Sequence, residues 1–177
     1  MNPPPLTTER LLLIPATLEL ADADLHNRME FSHQLKAAVL EGWPPPPIDE
    51  GAMRAAMDYF RRHPDASGWT AWYWVAKKHK PVVVGRGGFK GLPAGGAVEI
   101  ECALLPIFQH QGYAAEAVAA LLDWAFGHEE VDRGIAEISP ESSSWIRLLE
   151  KSGLERIGQG SKEGLLRFEL RRGARRT

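Results

Sequence analysis

The chain is poor in cysteine: Cys102 stands alone among 177 residues, which excludes an intramolecular disulfide and any multi-cysteine zinc site. That usage fits a reducing compartment. No apolar run approaches the ~20 residues needed to cross a bilayer. The opening MNPPPLTTER has neither the basic start nor the apolar stretch of a secretory leader. A cytoplasmic protein without a membrane partner is therefore expected. Net charge is also nearly absent, at −2, so no overall field draws the chain to nucleic acid. The short basic end RRGARRT reads as solvated. The six histidines show no pair at ligand spacing with supporting acids or cysteine, so no metal is expected. Internal repeats and low-complexity tracts are missing too.

What is present is an ordinary globular balance, 44% hydrophobic and 25% charged, sized for a single domain over residues 1–177. TERLLLIPA (8–16) reads as a first strand. Residues 22–40 read as a helix with Leu25, Met29, Leu35 and Val39 near one stripe. The prolines of GWPPPP (42–47) force an extended connector, and a second helix covers 48–63. Strands are expected at 69–78, 80–91 and 97–106, and a helix from the 109–117 motif to about Phe126. A strand at 133–139, a helix at 143–153 and a closing hairpin, LERIGQ to LLRFELRR, complete a mixed α/β fold. The aromatic group Trp69, Trp72, Tyr73 and Trp74 is expected in the core, with one member available to line a site. Trp43 is either a lid or a buried loop anchor.

Two stretches invite a phosphate. GRGGFKG (85–91) leads into LPAGG, which cannot open a helix. A glycine-softened strand explains it better than a phosphate loop. QHQGYAAEA (109–117) has the right context, because a strand ends at Pro106 and a helix follows at once. The first amides of a helix have no internal acceptor and carry partial positive charge. Gly112 lets the backbone approach a ligand, while Ala114 and Ala115 leave the mouth clear. Either a diphosphate or close packing against the sheet accounts for these small residues.

The pattern Gln-x-x-Gly-x-Ala, Gln109 to Ala114, resembles the acyl-coenzyme A pyrophosphate loop of the GNAT superfamily of N-acyltransferases. VEIECALLP and SSSWIRLLEKSGLERIG are similar to that family's fourth strand and closing segment, and TERLLLIPAT resembles its Rim-type branch. The resemblance implies a mostly antiparallel sheet splayed between its fourth and fifth strands and flanked by about four helices. It implies acetyl-CoA as acyl donor, with pantetheine on the backbone of Leu104 and Leu105. The pyrophosphate would meet Gln109, His110, Gln111, Gly112, Tyr113, Ala114 and Ala115. It also implies a primary amine as acceptor, on a protein amino terminus or a small molecule, and often a homodimer.

Acetyl transfer to an amine needs a proton acceptor and an acid for the leaving thiolate. Strand alternation puts Val98, Ile100, Cys102 and Leu104 on one face, and Glu99, Glu101 and Ala103 on the other. Two carboxylates on one face point to a wet cleft, and the resemblance favours Glu99 as base, with Glu101 second. Cys102 reads as a small core residue, since no histidine is placed to activate it. The acid departs from the family pattern: its usual tyrosine is Leu149 here, and the Rim-type Asn-x-x-Ser reads Ser142 and Trp145. Ser142 is the nearest substitute, with Ser143, Ser144 and Tyr113 as others. The expected activity is N-acetylation by direct attack in a ternary complex. The alternatives are a CoA-binding module without turnover, or acylation of a small molecule such as an aminoglycoside or polyamine.

Overall fold

A computed structural model describes residues 2–174. In chain order the elements are β1 (Leu6–Thr7), β2 (Leu11–Pro15), α1 (Leu18–His26), α2 (Arg28–Leu35), α3 (Glu50–Arg62), β3 (Ala71–Ala76), β4 (Val82–Phe89) and β5 (Ala97–Leu104). A 3-10 turn (Pro106–Phe108), α4 (Tyr113–Phe126), β6 (Arg133–Ile138), α5 (Ser143–Lys151), β7 (Glu155–Gln159) and β8 (Leu166–Arg171) follow. The strands form one sheet in the order β1-β2-β3-β4-β5-β6-β8-β7. Every neighbouring pair is antiparallel except β5 with β6. This is the expected mixed, mostly antiparallel α/β sheet, with five α-helices among the described residues.

Two expectations are corrected. The first strand expected over 8–16 shortens to β2, because Thr8 Oγ1 accepts from the Leu11 amide at 2.9 Å and turns the chain, and the two-residue β1 precedes that turn. The strands that the resemblance numbers fourth and fifth are therefore β5 and β6. The single helix expected over 22–40 is two. Thr17 starts α1 early by accepting from the Leu20 amide. Asn27 ends α1 and caps α2, and Lys36 stops α2 in the left-handed region at φ 50. Met29 is consequently 84% exposed, and Val39 lies beyond the helix, next to the Ala38–Val82 bridge. Phe31 and Leu35, four residues apart, are the buried pair of α2.

Both sheet faces are covered, so β3 and β4 are buried along nearly their whole length. Trp72 and Trp74 face α4, whose Ala117, Val118, Leu121, Leu122 and Ala125 form an apolar stripe at helical spacing. Tyr73 and Val75 face α1 and α2 through Leu20, Phe31 and Leu35. The glycines of β4 serve packing: a Cβ on Gly88 would sit 2.0 Å from the Thr70 carbonyl oxygen, and one on Gly87 2.5 Å from Cys102 Cβ. No helix among the described residues is long and apolar enough to cross a membrane.

Candidate active site

The parallel pairing of β5 with β6 is short. It runs from Ala97 opposite Arg133 to Glu99 opposite Ile135 and then stops, while β5 stays paired with β4 up to Leu104. The sheet thus forks, and the edge of β5 beyond Glu99 is open. Leu105 donates its amide to Val84 O at 2.9 Å, and its carbonyl accepts from Phe108 N at 2.9 Å. Alternation along the ladder turns the backbone of Cys102 and Leu104 to the open edge. Leu104 O accepts from the Gln109 side-chain amide at 3.1 Å. Of the two residues expected to offer backbone to pantetheine, Leu104 faces the fork, and Leu105 has both groups engaged elsewhere.

At the mouth of the fork the chain enters α4 through His110 at φ 60 and Gly112 at φ 84. Gly112 O accepts from Glu116 N at 3.1 Å, which leaves the amides of the first turn, Tyr113 to Ala115, without helical partners. Thr8, Arg10 and Glu116 brace this loop from behind. Glu116 accepts from Thr8 Oγ1 at 2.5 Å and from the Arg10 amide and Nε at 2.7 Å each. Arg10 Nη1 also donates to Gln111 O at 2.8 Å. Burial would raise the Glu116 carboxyl, but the hydrogen bonds from Thr8 and Arg10 outweigh it and hold the pKa below its ordinary value. A groove of about 220 Å³ lies in front of the amides. Gln109, His110, Gly112, Ala114 and Ala115 form one wall, and Ser144, Trp145, Arg147, Leu148 and Lys151 of α5 the other. The Tyr113 ring lies behind, 4.6 Å from Arg10 Cζ and stacked edge-on against Phe108. The Gln111 side chain turns back to Ile107 O.

Arg147 and Lys151 were not singled out in the sequence, although their i, i+4 spacing puts both on one helical face. With the loop amides they make a groove that suits a polyanion. The brace through Glu116 has no local sequence signal, since its partners Thr8 and Arg10 lie more than a hundred residues away.

Beyond Trp145, which lines both spaces, lies a cavity of about 480 Å³. Arg86, Glu101, Cys102 and Ala103 form its floor, Glu137 to Ser139 at the end of β6 one wall, and Leu149 of α5 with its capping residue Ser142 another. Pro47, Ile48 and Ala52 close the far side. Glu101 is exposed in this cavity. Glu99, on the same strand face, is outside its lining and forms an ion pair with Lys90. Burial, then the Glu101 charge, pushes the Cys102 thiol up, away from thiolate. Ser142 caps α5 without a side-chain hydrogen bond to the helix, and its hydroxyl has no partner among the described residues. Leu149, at the tyrosine position, is buried and apolar.

Deeper still, Asp24 accepts from Trp43 Nε1 at 2.6 Å and from the Tyr73 hydroxyl at 2.9 Å, and lies 3.5 Å from Arg86. Burial keeps the Asp24 carboxyl above its ordinary value against these partners, and burial likewise raises the Tyr73 hydroxyl. Trp43 is thereby an anchor, packed on Phe31 and Tyr73. No local pattern marks this cluster, whose members come from four separate segments.

A family profile described as an acetyltransferase (GNAT) domain matches residues 10–155. The chain is 29% identical over 153 residues to the uncharacterized N-acetyltransferase YjdG of Bacillus subtilis, covering 84% of this chain and 88% of the relative. Its fold is similar to that of the ribosomal-protein-S5-alanine acetyltransferase from Vibrio fischeri, with a TM-score of 0.67 at 15% identity over 97% and 98% of the two chains. It is also similar to Mycobacterium smegmatis RimJ in complex with CoA-disulfide, with a TM-score of 0.60 at 18% identity over 92% and 82%.

Proposed function

Since the chain belongs to the GNAT acetyltransferase family, we propose that it transfers the acetyl group of acetyl-CoA to a primary amine by direct attack in a ternary complex. The observation that carries this reading is the fork between β5 and β6, where an amide-lined groove and a cavity lined by Glu101 and Arg86 meet at Trp145. The groove fits the diphosphate through the amides from Gly112 to Ala115, with Arg147 and Lys151 opposite. The open edge at Cys102 and Leu104 suits pantetheine, and with pantetheine there the thioester would lie at the cavity entrance.

In the cavity the amine loses a proton to Glu101, directly or through a water, and its nitrogen bonds to the acetyl carbon. The C–S bond then breaks, and the thiolate takes a proton from water, directly or relayed through Ser142, which regains one as it gives one up, while Glu101 returns its proton to solvent. Glu101 is preferred to Glu99 because it faces the cavity, whereas Glu99 is paired with Lys90. Much of the rate comes from holding the two reactants together, so neither proton relay has to be strong.

The test is thermal and chemical. Acetyl-CoA at about 100 times its Kd adds about 2.7 kcal/mol, or about 5–11 °C in Tm for a chain of this size; ATP and NAD give much less. With an amine panel, free thiol then appears only when both substrates are present. Absence of an acetyl-CoA shift counts against the reading, and a shift without thiol release indicates binding alone.

A further inference from the structure

Arg86 is a buried cation without adequate anions. It is 8% exposed, it lines the larger cavity, and its contact with Asp24 is loose, at 3.5 Å. Asp24 is already engaged by Trp43, at 2.6 Å on Oδ1, and by the Tyr73 hydroxyl, at 2.9 Å on Oδ2, the same oxygen that Arg86 approaches. The guanidinium also lies over the Tyr73 ring at 5.5 Å, but its five N–H donors have one long contact to an anion, and its side chain makes no hydrogen bond among the described residues. A guanidinium that lines a cavity with one long anionic contact has donors to spare for an incoming anion.

Glu101 supplies the complementary half. Arg86 is opposite Ala103 and Gly88 opposite Glu101, so Arg86 and Glu101 are diagonal neighbours on one sheet face, roughly 7–8 Å apart at Cα. Both line the cavity, and no ion pair joins them. A cation and an anion that line the same cavity and are not paired with each other form a template for a ligand of the reverse polarity.

We propose that the acceptor is an amino acid or short amino-carboxylic acid, with its carboxylate on the Arg86 fork and its amine at Glu101. This rests on the reading of the chain as an amine acetyltransferase. A planar carboxylate matches the guanidinium bidentately. A protein amino terminus offers a neutral peptide carbonyl at that point and fits less well.

The experiment compares kcat/KM for free amino acids, their carboxamides, the corresponding decarboxylated amines and short peptides, by acetyl-CoA-dependent thiol release. The acids are expected to exceed their carboxamides by about 30-fold or more. In Arg86→Gln the ratio falls towards one, and Arg86→Lys lies between. Acetyl-CoA thermal shifts report whether each variant is folded. If Arg86→Gln is not, the double variant Arg86→Gln/Asp24→Asn removes both charges and the same ratio is read. Carboxamides or peptides equal to the acids in the parent protein overturn the proposal, as does a ratio unchanged by the variants. Thiol release without acid preference sinks this proposal alone, whereas a folded protein giving neither acetyl-CoA shift nor thiol release sinks the transferase reading with it.

Discussion

Glu99 and Glu101 share a strand and a face, and their neighbours separate them. Lys90 claims Glu99, while Glu101 looks into the cavity. Glu101→Gln is expected to lower kcat about 100-fold or more, the usual range for losing a general base, with acetyl-CoA affinity nearly unchanged. Glu99→Gln should cost much less, and steady-state kinetics giving the opposite ranking would remove Glu101 as base. Gly112→Asp sets bulk and negative charge at φ 84, where a Cβ would meet Arg10 Nη2 at 3.0 Å. Titration with CoA should show its affinity collapse. Glu116 links stability to pH. Its folded pKa lies below the ordinary 4.5, so its contribution is complete above 4.5 and is lost as pH falls through the folded value. Glu116→Gln should cost about 1–2 kcal/mol at neutral pH, and its Tm gap from the parent should close in acid, below 4.5. A gap constant down to the lowest pH at which the protein is folded would contradict this. The loop itself was legible because its logic is local: strand, glycine, helix. The Asp24–Arg86 pair was not, since 62 residues separate the partners and Arg86 sat inside a stretch read for its glycines.

At the scale of elements, alternation and helical spacing located the strands and helices to within a few residues, because both faces of the sheet select apolar side chains. The failure over 22–40 came from caps. Asn27 and Lys36 terminate helices through a side-chain bond and a left-handed backbone, and neither alters the hydrophobic pattern. β4 shows how composition misleads in the other direction. Its glycines look like a phosphate loop but admit neighbouring backbones, most tightly at Gly88, where a Cβ would lie 2.0 Å from Thr70 O. Because that neighbour is main chain in a paired strand region, it cannot rotate away. Gly88→Ala should therefore destabilise by about 3 kcal/mol, a Tm loss of about 6–12 °C by calorimetry. A loss under 2 °C would mean that the strands can part there without penalty.

For the whole molecule, the order β1-β2-β3-β4-β5-β6-β8-β7 depends on the β5–β6 crossover, and no single segment of sequence encodes that. The expected splay came from resemblance to a family rather than from periodicity, as did the acetyl donor. The acid remained open because Leu149 and Trp145 stand where hydroxyls are usual, and the cavity now offers Ser142 as a proposal.

The fork has a consequence for cooperativity. β1–β5 and β6–β8 are each stitched by antiparallel ladders, yet the seam between them runs only from Ala97 to Glu99. Such a seam is where a sheet separates into independently opening units. In native-state hydrogen exchange, amides of β6 and β8 should open as one block at lower free energy than those of β3 and β4. A ligand spanning Leu104 and α5 would bridge the break and fuse the two blocks, so acetyl-CoA should slow exchange in β8, far from any atom it touches. Identical protection in both halves without ligand would show that the α4 packing alone already makes them one.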